Sequence, residues 1–248
     1  MPRVEYDGDY AAQMVQRRAV IMQKVARACE QAGRSLEGVC VCAVSKTVDV
    51  PQVAAARAAG YTDFAENRPQ ELERKLGLIQ GDPAFEGVHW HMIGNLQENK
   101  INHVLAARPC LIHSIASAKL AAAVSKRAQA AGMVQPVLLE ANVSGEQSKQ
   151  GMAPDELKAA FEQALGLEGI QVRGLMTMAP QGDADVAEHT FEGLRLLRDE
   201  LAQAYPEASL HVLSMGMSED FEAGIRQGAT IVRLGRVAFD PAFPIVER

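Results

Sequence analysis

Short apolar runs alternate along the chain with segments whose apolar residues recur at helical spacing. The runs are rich in β-branched residues and predict eight strands, at about 39–44, 61–65, 88–93, 111–114, 136–142, 172–176, 210–213 and 230–234. A helix-like segment or a loop follows each strand, and Pro51, Pro69 and Pro154 stand where three helices begin. Ahead of the first strand, residues 10–32 predict an amphipathic helix that ends at Gly33.

This regular alternation favours a closed parallel barrel. Continuous apolar strands are typical of a parallel sheet that is covered on both faces. No G-x-G-x-x-G fingerprint follows the first strand, which argues against an open dinucleotide-binding sheet. The length of 248 residues also matches the usual size of a β/α barrel. We therefore predict an α/β fold in one domain over residues 1–248, a single (β/α)8 TIM barrel at about 39–240 with an extra N-terminal helix.

Composition narrows the function classes. The net charge is −6, so the surface gives no electrostatic reason to bind nucleic acid. No apolar run reaches the roughly 18 residues of a membrane span, and the first seven residues lack the apolar core of a signal peptide. The four cysteines form no C-x-x-C pair, and we expect reduced core thiols in a cytoplasmic protein. Charged stretches such as residues 71–75 are expected to be solvated helix faces.

Polar residues cluster at the predicted carboxyl ends of the strands, where barrel enzymes place their functional groups. These rim candidates are Lys46, Asn67, His91, Asn142, Ser214, Arg233 and Gly235. Two of the loops suit a phosphate, because 213–220 combines small residues with a helix start and 232–236 holds a glycine between two arginines. Loops after strands seven and eight are also the recurrent phosphate site of this architecture. Ordinary capping and turn chemistry explains either loop equally well on its own.

Lys46 is the sharpest candidate, and the local sequence leaves two interpretations open. A lysine that ends an apolar strand would be partly desolvated, which favours the neutral amine that forms a Schiff base. Alternatively, its stem is buried and its ammonium reaches solvent at the rim. If Lys46 faces the barrel mouth, strand alternation places Cys40, Cys42 and Val44 inward as well.

His89 and His91 raise the alternative of a metal-dependent hydrolase, because H-x-H on a strand puts both imidazoles on one face. Such a site also needs histidine and aspartate ligands at other strand ends, and the sequence offers few. We therefore predict no metal site and expect His91 to lie near a cofactor or in the core.

Seven strings of residues together resemble the pyridoxal 5'-phosphate homeostasis protein family. They are Ala43-Val-Ser-Lys46-Thr, Phe64-Ala-Glu-Asn67, the run from Trp90 to Lys100, His113-Ser114, Gly174-Leu-Met176, Leu213-Ser-Met-Gly-Met-Ser218 and Val232-Arg-Leu-Gly235. The resemblance extends from the N-terminal helix to about Phe239. It implies a barrel similar to the N-terminal domain of bacterial alanine racemase, with pyridoxal 5'-phosphate held as a Schiff base on Lys46.

The resemblance also implies the cofactor contacts. The cofactor-binding residues that we predict on this basis are Lys46, Asn67, His91, Ser214, Met217, Arg233, Gly235 and Arg236. Ser214 and the backbone around Gly235 and Arg236 would hold the phosphate. Arg233 would face the pyridine nitrogen and keep it unprotonated, which makes the ring a weaker electron sink. Arg236 departs from the small hydroxyl residue usual in the family, so a backbone phosphate contact remains there but a hydroxyl contact does not.

Members of this family are thought to bind, buffer or deliver the cofactor in vitamin B6 metabolism without robust catalysis, so the resemblance implies a carrier with no catalytic residue. The main rival is a pyridoxal-phosphate-dependent amino-acid racemase, and a class I aldolase also uses a barrel lysine. Alanine racemase takes a second base, a tyrosine, from a further domain of its partner subunit, and we expect no such domain here. We therefore expect a monomer whose partners are the cofactor and the apo-enzymes that receive it, with no nucleic-acid or membrane partner.

Overall fold

Eight parallel strands close into a barrel in the order β1-β2-β3-β4-β5-β6-β7-β8, in a computed structural model that describes residues 7–146 and 150–245. The strands are β1 Cys40–Val44, β2 Asp63–Glu66, β3 His89–Met92, β4 Leu111–Ile115, β5 Gln135–Glu140, β6 Ile170–Met176, β7 Val212–Ser214 and β8 Ile231–Leu234. The predicted TIM barrel is therefore confirmed. Residues 1–6, where we expected no signal peptide, and 246–248, at the end of the predicted domain, lie outside the described residues.

The connections between strands are helical. In the described residues they are α2 Val50–Ala58, α3 Pro69–Ile79, α4 Ile101–Ala107, α5 Ala118–Ala130, α6 Pro154–Ala164, α7 Ala184–Ala204 and α8 Phe221–Arg226, with α9 Arg236–Phe239 after the last strand. Short 3-10 turns lie at Leu36–Gly38, Pro83–Phe85 and Glu98–Lys100. Local sequence fixes several starts: Asp49 and Gln52 form a capping box on α2, and Ser117 caps α5.

The extra N-terminal helix α1, Gly8–Gln31, packs against α2, α8 and α9. Its buried face carries Met14, Ile21 and Val25. The Arg17 guanidinium donates to the carbonyl oxygens of Val237 and Phe243, both at 2.9 Å. These bonds join α1 to the segment that follows the last strand, so the first helix braces the seam where the barrel closes.

The interior of the barrel is filled by a cluster separate from the larger core between strands and helices. Its buried members are Cys42, Val44, Ala65, Leu111, Leu138, Met176 and Ile231, and Cys40 packs against them. The expected inward orientation of Cys40, Cys42 and Val44 is confirmed. The cysteines of the described chain are free, but Cys110 is exposed. The expectation of core thiols is wrong there, because Cys110 stands just before β4, at the amino end of the strand.

One predicted strand end is displaced. We expected β5 to run to Asn142, but it ends at Glu140. The backbone then leaves β6, since the Asn142 N–H donates to the carbonyl oxygen of Met152 at 2.8 Å. The polar residue at this point of the rim is therefore Glu140, while the Asn142 side chain donates to the carbonyl oxygen of Glu146 at 3.0 Å.

Candidate functional site

A cavity of about 470 Å³ opens at the carboxyl ends of the strands. The lining residues that carry polar side-chain chemistry include Lys46, Asn67, Ser114, Glu140, Ser218, Glu219, Asp220, Arg233 and Arg236. Because these residues follow or end different strands, closure of the barrel brings distant parts of the chain to one rim.

Six of the eight predicted binding residues line this cavity, namely Lys46, Asn67, Met217, Arg233, Gly235 and Arg236. His91 and Ser214 are not among its lining residues. Their side chains are buried in the barrel interior, with exposed fractions of 4% and 0%. The structure thus brings six candidates to one cavity and places the other two behind Arg233.

Lys46 lies in a turn directly after β1. The Val48 N–H donates to the carbonyl oxygen of Ser45 at 3.1 Å, which closes the turn. Ser45 is fully buried, whereas Lys46 is exposed. The expected partial desolvation of Lys46 is therefore wrong for this structure, because the turn lifts the residue above the apolar layer that contains Cys42 and Val44.

A buried ion pair holds this turn from behind. Lys75, on α3, is 1% exposed, and its Nζ lies 2.5 Å from Oε1 of the fully buried Glu66. The same ammonium donates to the carbonyl oxygens of Ser45 at 2.8 Å and Val48 at 2.7 Å, on either side of Lys46. The Ser45 hydroxyl also donates to Glu66 Oε1, at 2.6 Å. The backbone that carries Lys46 is thus tied at both ends to one buried charge pair.

The expected solvated helix face over residues 71–75 holds for Glu73 and Arg74, which are exposed, but is wrong for Lys75, which is buried. Lys75 follows Leu72 by three residues and precedes Ile79 by four, and both of these residues are buried. Helical spacing therefore placed Lys75 on the apolar face. That periodicity was the signal available in the sequence.

Asn67 follows β2 and is half-buried at the cavity. The loop after β3 passes close behind it, because a Cβ on Gly94 would lie only 1.9 Å from the Asn67 carbonyl oxygen. The Ser114 hydroxyl, in β4, donates to the carbonyl oxygen of Gly94. Glycine at position 94 therefore allows the loops after β2 and β3 to sit together at the rim.

Arg233 is buried at 4% exposure in β8 and still reaches the cavity. Its Nη1 donates to Ser214 Oγ at 2.6 Å, and its Nη2 donates to the Thr177 carbonyl oxygen at 3.0 Å. Burial lowers the pKa of Arg233, and the nearby carboxyl groups of Asp220 and Glu140 oppose that shift. The guanidinium remains a fixed cation, because no protein environment deprotonates arginine near neutral pH.

The loop after β7 turns sharply at Gly216, whose φ is +92° and whose Cβ would lie 2.9 Å from Phe221 Cα. Carboxylates of this loop already engage donors nearby. The Met217 N–H donates to Asp220 Oδ1 at 2.5 Å, and Arg236 Nη2 lies 2.8 Å from Glu219 Oε1. Such a set of amide and guanidinium donors is what a bound anion requires.

Glu140 is the cavity residue that the sequence analysis missed. It ends β5, is 3% exposed and lines the cavity. Burial raises the pKa of Glu140 to about 7, against the opposing charge of Arg233. No side-chain hydrogen bond joins it to another residue in the described part of the chain. Its carboxyl group is therefore a titratable group near neutral pH that faces the space where a ligand would lie.

The donor set of the cavity fits pyridoxal 5'-phosphate. A primary amine at Lys46 suits the aldehyde, while the guanidinium groups of Arg233 and Arg236 suit anionic or acceptor atoms. The volume of about 470 Å³ lies within the range usual for small-ligand sites. Both the chemistry and the size therefore match this cofactor.

Other features of the described chain carry less chemistry. A larger cavity of about 740 Å³ lies on the flank between α3 and α4, with a mainly apolar lining that includes Leu76, Phe85 and Trp90. None of the predicted binding residues lines it. Within residues 7–146 and 150–245, no group of three or more histidine, cysteine, aspartate or glutamate side chains is arranged to hold a metal ion. The helices found there are all too short or too polar to cross a membrane.

Comparison with known proteins gives a consistent family. The model of the alanine racemase N-terminal domain matches residues 20–240. The pyridoxal phosphate homeostasis protein of Aquifex aeolicus is 41% identical over 221 residues, which cover 88% of this chain and 94% of that protein.

Two solved structures resemble the fold closely. An unknown protein from Bifidobacterium adolescentis is 36% identical, with a TM-score of 0.90 over 96% of this chain and 98% of the other. PipY of Synechococcus elongatus, solved with pyridoxal phosphate bound, is 32% identical, with a TM-score of 0.76 over 87% of this chain and 99% of the other.

Proposed function

Because the chain belongs to the alanine racemase N-terminal domain family, and within it to the pyridoxal phosphate homeostasis proteins, we propose that it binds pyridoxal 5'-phosphate as a Schiff base on Lys46. Its role is to hold and supply the cofactor inside the cell, without robust catalysis of its own. The observation that carries this proposal is the cavity whose lining combines the amine-bearing turn after β1 with two arginines from the neighbouring β8 and α9.

The bound cofactor supplies an aldehyde, a pyridine nitrogen and a phosphate dianion. Lys46 provides the amine, on a turn whose backbone is fixed by Lys75. Arg233 provides a permanent cation, and we assign it to the pyridine nitrogen, which it keeps unprotonated. The phosphate is assigned to the loop around Met217 and the backbone near Gly235 and Arg236.

Two predicted contacts change their form in this proposal. Ser214 and His91 act through Arg233, because the hydroxyl of Ser214 is engaged by the Arg233 guanidinium at 2.6 Å and neither residue lines the cavity. Asn67 remains at the edge of the ring site, since its side chain lines the cavity beside Lys46.

The test compares the purified protein with Lys46→Ala after reconstitution with the cofactor. We expect a visible absorbance band and borohydride trapping on the peptide that contains Lys46, both lost in the variant. Lys119→Ala is the matched control, because that lysine is 82% exposed and pairs with Glu98 on the outer surface. Retention of the band in Lys46→Ala, or trapping on another lysine, would overturn the proposal.

The same variants separate the carrier from a racemase. None of the tyrosines in the described residues, Tyr10, Tyr61 and Tyr205, lines the cavity, so none supplies the second base of alanine racemase there. Loss of one of two bases normally costs a factor of about 100 or more in rate. We expect no exchange of α-deuterium into amino acids above background. Exchange that requires Lys46 would instead establish the racemase.

We further propose that the protein is cytoplasmic and monomeric and that its partners are apo-enzymes that need the cofactor. Transfer to such an enzyme is measured as gain of its activity when it is mixed with the loaded protein. Free cofactor at the same concentration is the control. A sedimentation measurement decides the oligomeric state.

A further inference from the structure

A continuous file of polar side chains crosses the barrel interior behind Arg233. It begins at Asp63, the first residue of β2, and passes through His91 in β3 and His113 in β4 to Ser214 at the end of β7. Asp63 Oδ1 lies 3.1 Å from His91 Nε2, and His91 Nδ1 lies 3.0 Å from His113 Nε2. His113 Nδ1 lies 2.8 Å from Ser214 Oγ, which lies 2.6 Å from Arg233 Nη1.

The end at Arg233 sets the direction of these hydrogen bonds. A guanidinium only donates, so the Ser214 oxygen accepts from Arg233. Ser214 is fully buried, and its hydroxyl proton has one other polar atom within reach in the described residues, His113 Nδ1. The hydroxyl therefore donates to His113 Nδ1, which places the proton of the neutral His113 ring on Nε2.

The end at Asp63 is consistent with the same direction. An ionised carboxylate only accepts, so His91 Nε2 carries a proton and donates to Asp63. His91 Nδ1 is then free to accept from His113 Nε2–H at 3.0 Å. Both rings are neutral Nε2–H tautomers, and every donor points from Arg233 towards Asp63. One placement of protons thus satisfies the whole file.

Adding a proton to His91 breaks this agreement. An imidazolium at His91 donates to both neighbours, so His113 would have to accept at Nε2 and donate from Nδ1 to Ser214. Ser214 would then accept from both sides, and its own proton would have no partner among the described residues. A buried hydroxyl without a partner is unfavourable. The protonation of His91 beside Asp63 therefore changes the hydrogen bonds that Ser214 makes beside Arg233.

We propose that Asp63, His91, His113 and Ser214 form a positioning relay that fixes the Arg233 guanidinium at the cofactor cavity. The inference deepens the proposed function and rests on it in one respect, the role of Arg233 beside the pyridine ring. None of the four relay residues lines the cavity, so each acts through Arg233 and none is a catalytic residue.

The electrostatics agree with an ionised Asp63 at one end and with a neutral His113 beside the Arg233 cation at the other. Burial, with His91 and Arg233 nearby, lowers the pKa of His113 well below its ordinary value. Burial raises the pKa of Asp63, but hydrogen bonds from His91 and Thr62 and the nearby histidines outweigh it and lower the pKa to about 2. The other titratable groups that face the file are His89, Cys40 and Cys110 at the Asp63 end and Cys42, Glu140 and Asp220 at the Arg233 end.

The first test uses the wild-type protein and needs no cofactor. Histidine ring ¹⁵N spectra, assigned with His91→Gln and His113→Gln, report the tautomer of each ring directly. We expect Nε2–H for both rings near neutral pH. An Nδ1–H tautomer at His113 would overturn the proposal even if every variant bound the cofactor normally.

The second test breaks the file at the end away from the cavity. Asp63→Ala removes the acceptor for His91, whereas Asp63→Asn keeps a carbonyl oxygen there and leaves an amide beside the Thr62 hydroxyl, which lies 2.7 Å from Asp63 Oδ2. Loss of one such bond is worth about a factor of 3 to 10 in affinity. We therefore expect Asp63→Ala to weaken pyridoxal 5'-phosphate binding by that factor and Asp63→Asn to restore both the binding and the tautomers.

His89→Ala is the matched control, because His89 Nδ1 also approaches Asp63, at 3.5 Å, but its side chain is 60% exposed and outside the file. We expect wild-type affinity from it. Equal affinities of Asp63→Ala and wild type, with Asp63→Ala folded, would overturn the relay. If the wild type itself failed to bind the cofactor, the proposed function would fall, while the tautomer spectra would still decide whether the relay exists.

Discussion

Two of the three cationic residues of the cavity, Lys46 and Arg233, rest on two buried networks built from different kinds of groups. Behind Lys46 stands a full charge pair, Lys75 and Glu66, whose ammonium holds the backbone carbonyls of Ser45 and Val48. Behind Arg233 stands a file of neutral rings and a hydroxyl that holds the side chain itself. The first network fixes a turn and leaves the lysine side chain exposed, as a group that makes and breaks a bond requires. The second fixes a guanidinium in place.

The difference also predicts that substitutions in the two networks affect different free energies. Removal of one partner of a buried charge pair strongly destabilises the folded protein, because the other charge is left uncompensated. A neutral file loses only one hydrogen bond at a time, but it depends on the placement of every proton along it. Substitutions behind Lys46 should therefore act mainly on folding stability, and those behind Arg233 mainly on binding.

The largest expected effect comes from Lys75→Met. It leaves the buried Glu66 carboxylate without a cation and frees the carbonyls on either side of Lys46. We expect a loss of about 3–5 kcal/mol in the free energy of unfolding, measured by chemical denaturation. Borohydride trapping at Lys46 should also slow in the fraction that remains folded.

A paired substitution separates stability from positioning. Lys75→Met with Glu66→Leu removes both charges, and such apolar replacements of buried pairs are often neutral or stabilising. We expect the double variant to regain much of the stability but not the trapping rate. Recovery of both would show that the pair only stabilises the fold and does not position Lys46.

Glu140→Gln tests the ionisation of Glu140, a buried carboxyl group that belongs to neither network. Burial raises the pKa of Glu140 from its ordinary 4.5 to about 7. The stability linked to this group is fully present below pH 4.5 and is lost as pH rises through 7, by about 3 kcal/mol at most. Without cofactor, we expect Glu140→Gln to be more stable than the wild type at pH 8 and equal to it at pH 4.5. A difference that is the same at both pH values would exclude ionisation of Glu140 as the cause.

The sequence predicted the fold and the rim well because both follow from local patterns. Strand alternation placed Lys46, Asn67 and Arg233 at carboxyl ends, and the structure confirms that they line one cavity. Glu140 was missed because the following Ala141 extended the apparent strand to Asn142. The end of β5 depends on a pairing with Met152 that no local pattern reveals.

The two supporting networks were harder to predict from the sequence than the fold and the rim. Lys75 looked like part of a charged surface, although its spacing from Leu72 and Ile79 was the available signal. The relay depends on the register between strands across the closed barrel, which joins His113 to Ser214 over 101 positions of the chain. The shear of the barrel sets that register, and hydrophobic alternation alone does not.

Arg233→Lys tests the network behind Arg233, as Lys75→Met tests the network behind Lys46. Lysine keeps the charge but has no planar fork, so it does not hold Ser214 Oγ and the Thr177 carbonyl in the same geometry. We expect about a tenfold loss of cofactor affinity, equivalent to about 1.4 kcal/mol, with a smaller loss of stability than Lys75→Met causes. Arg226→Lys, at an exposed arginine that pairs with Glu188, is the control and should bind normally. Unchanged affinity in Arg233→Lys would mean that charge alone matters there.

Arg236→Thr should have the smallest effect, because Arg236 belongs to neither network. Its side chain is 53% exposed and lies 2.8 Å from Glu219, which already competes with any anion. Exposed ion pairs are worth little and are screened by salt. We expect a loss of cofactor affinity of about two- to fivefold at low ionic strength that disappears at high salt, measured by titration at both. A large loss that persists at high salt would place Arg236 at a desolvated phosphate contact. The Arg236 guanidinium would then be held in place by the ligand and not, as at Arg233, by the fold.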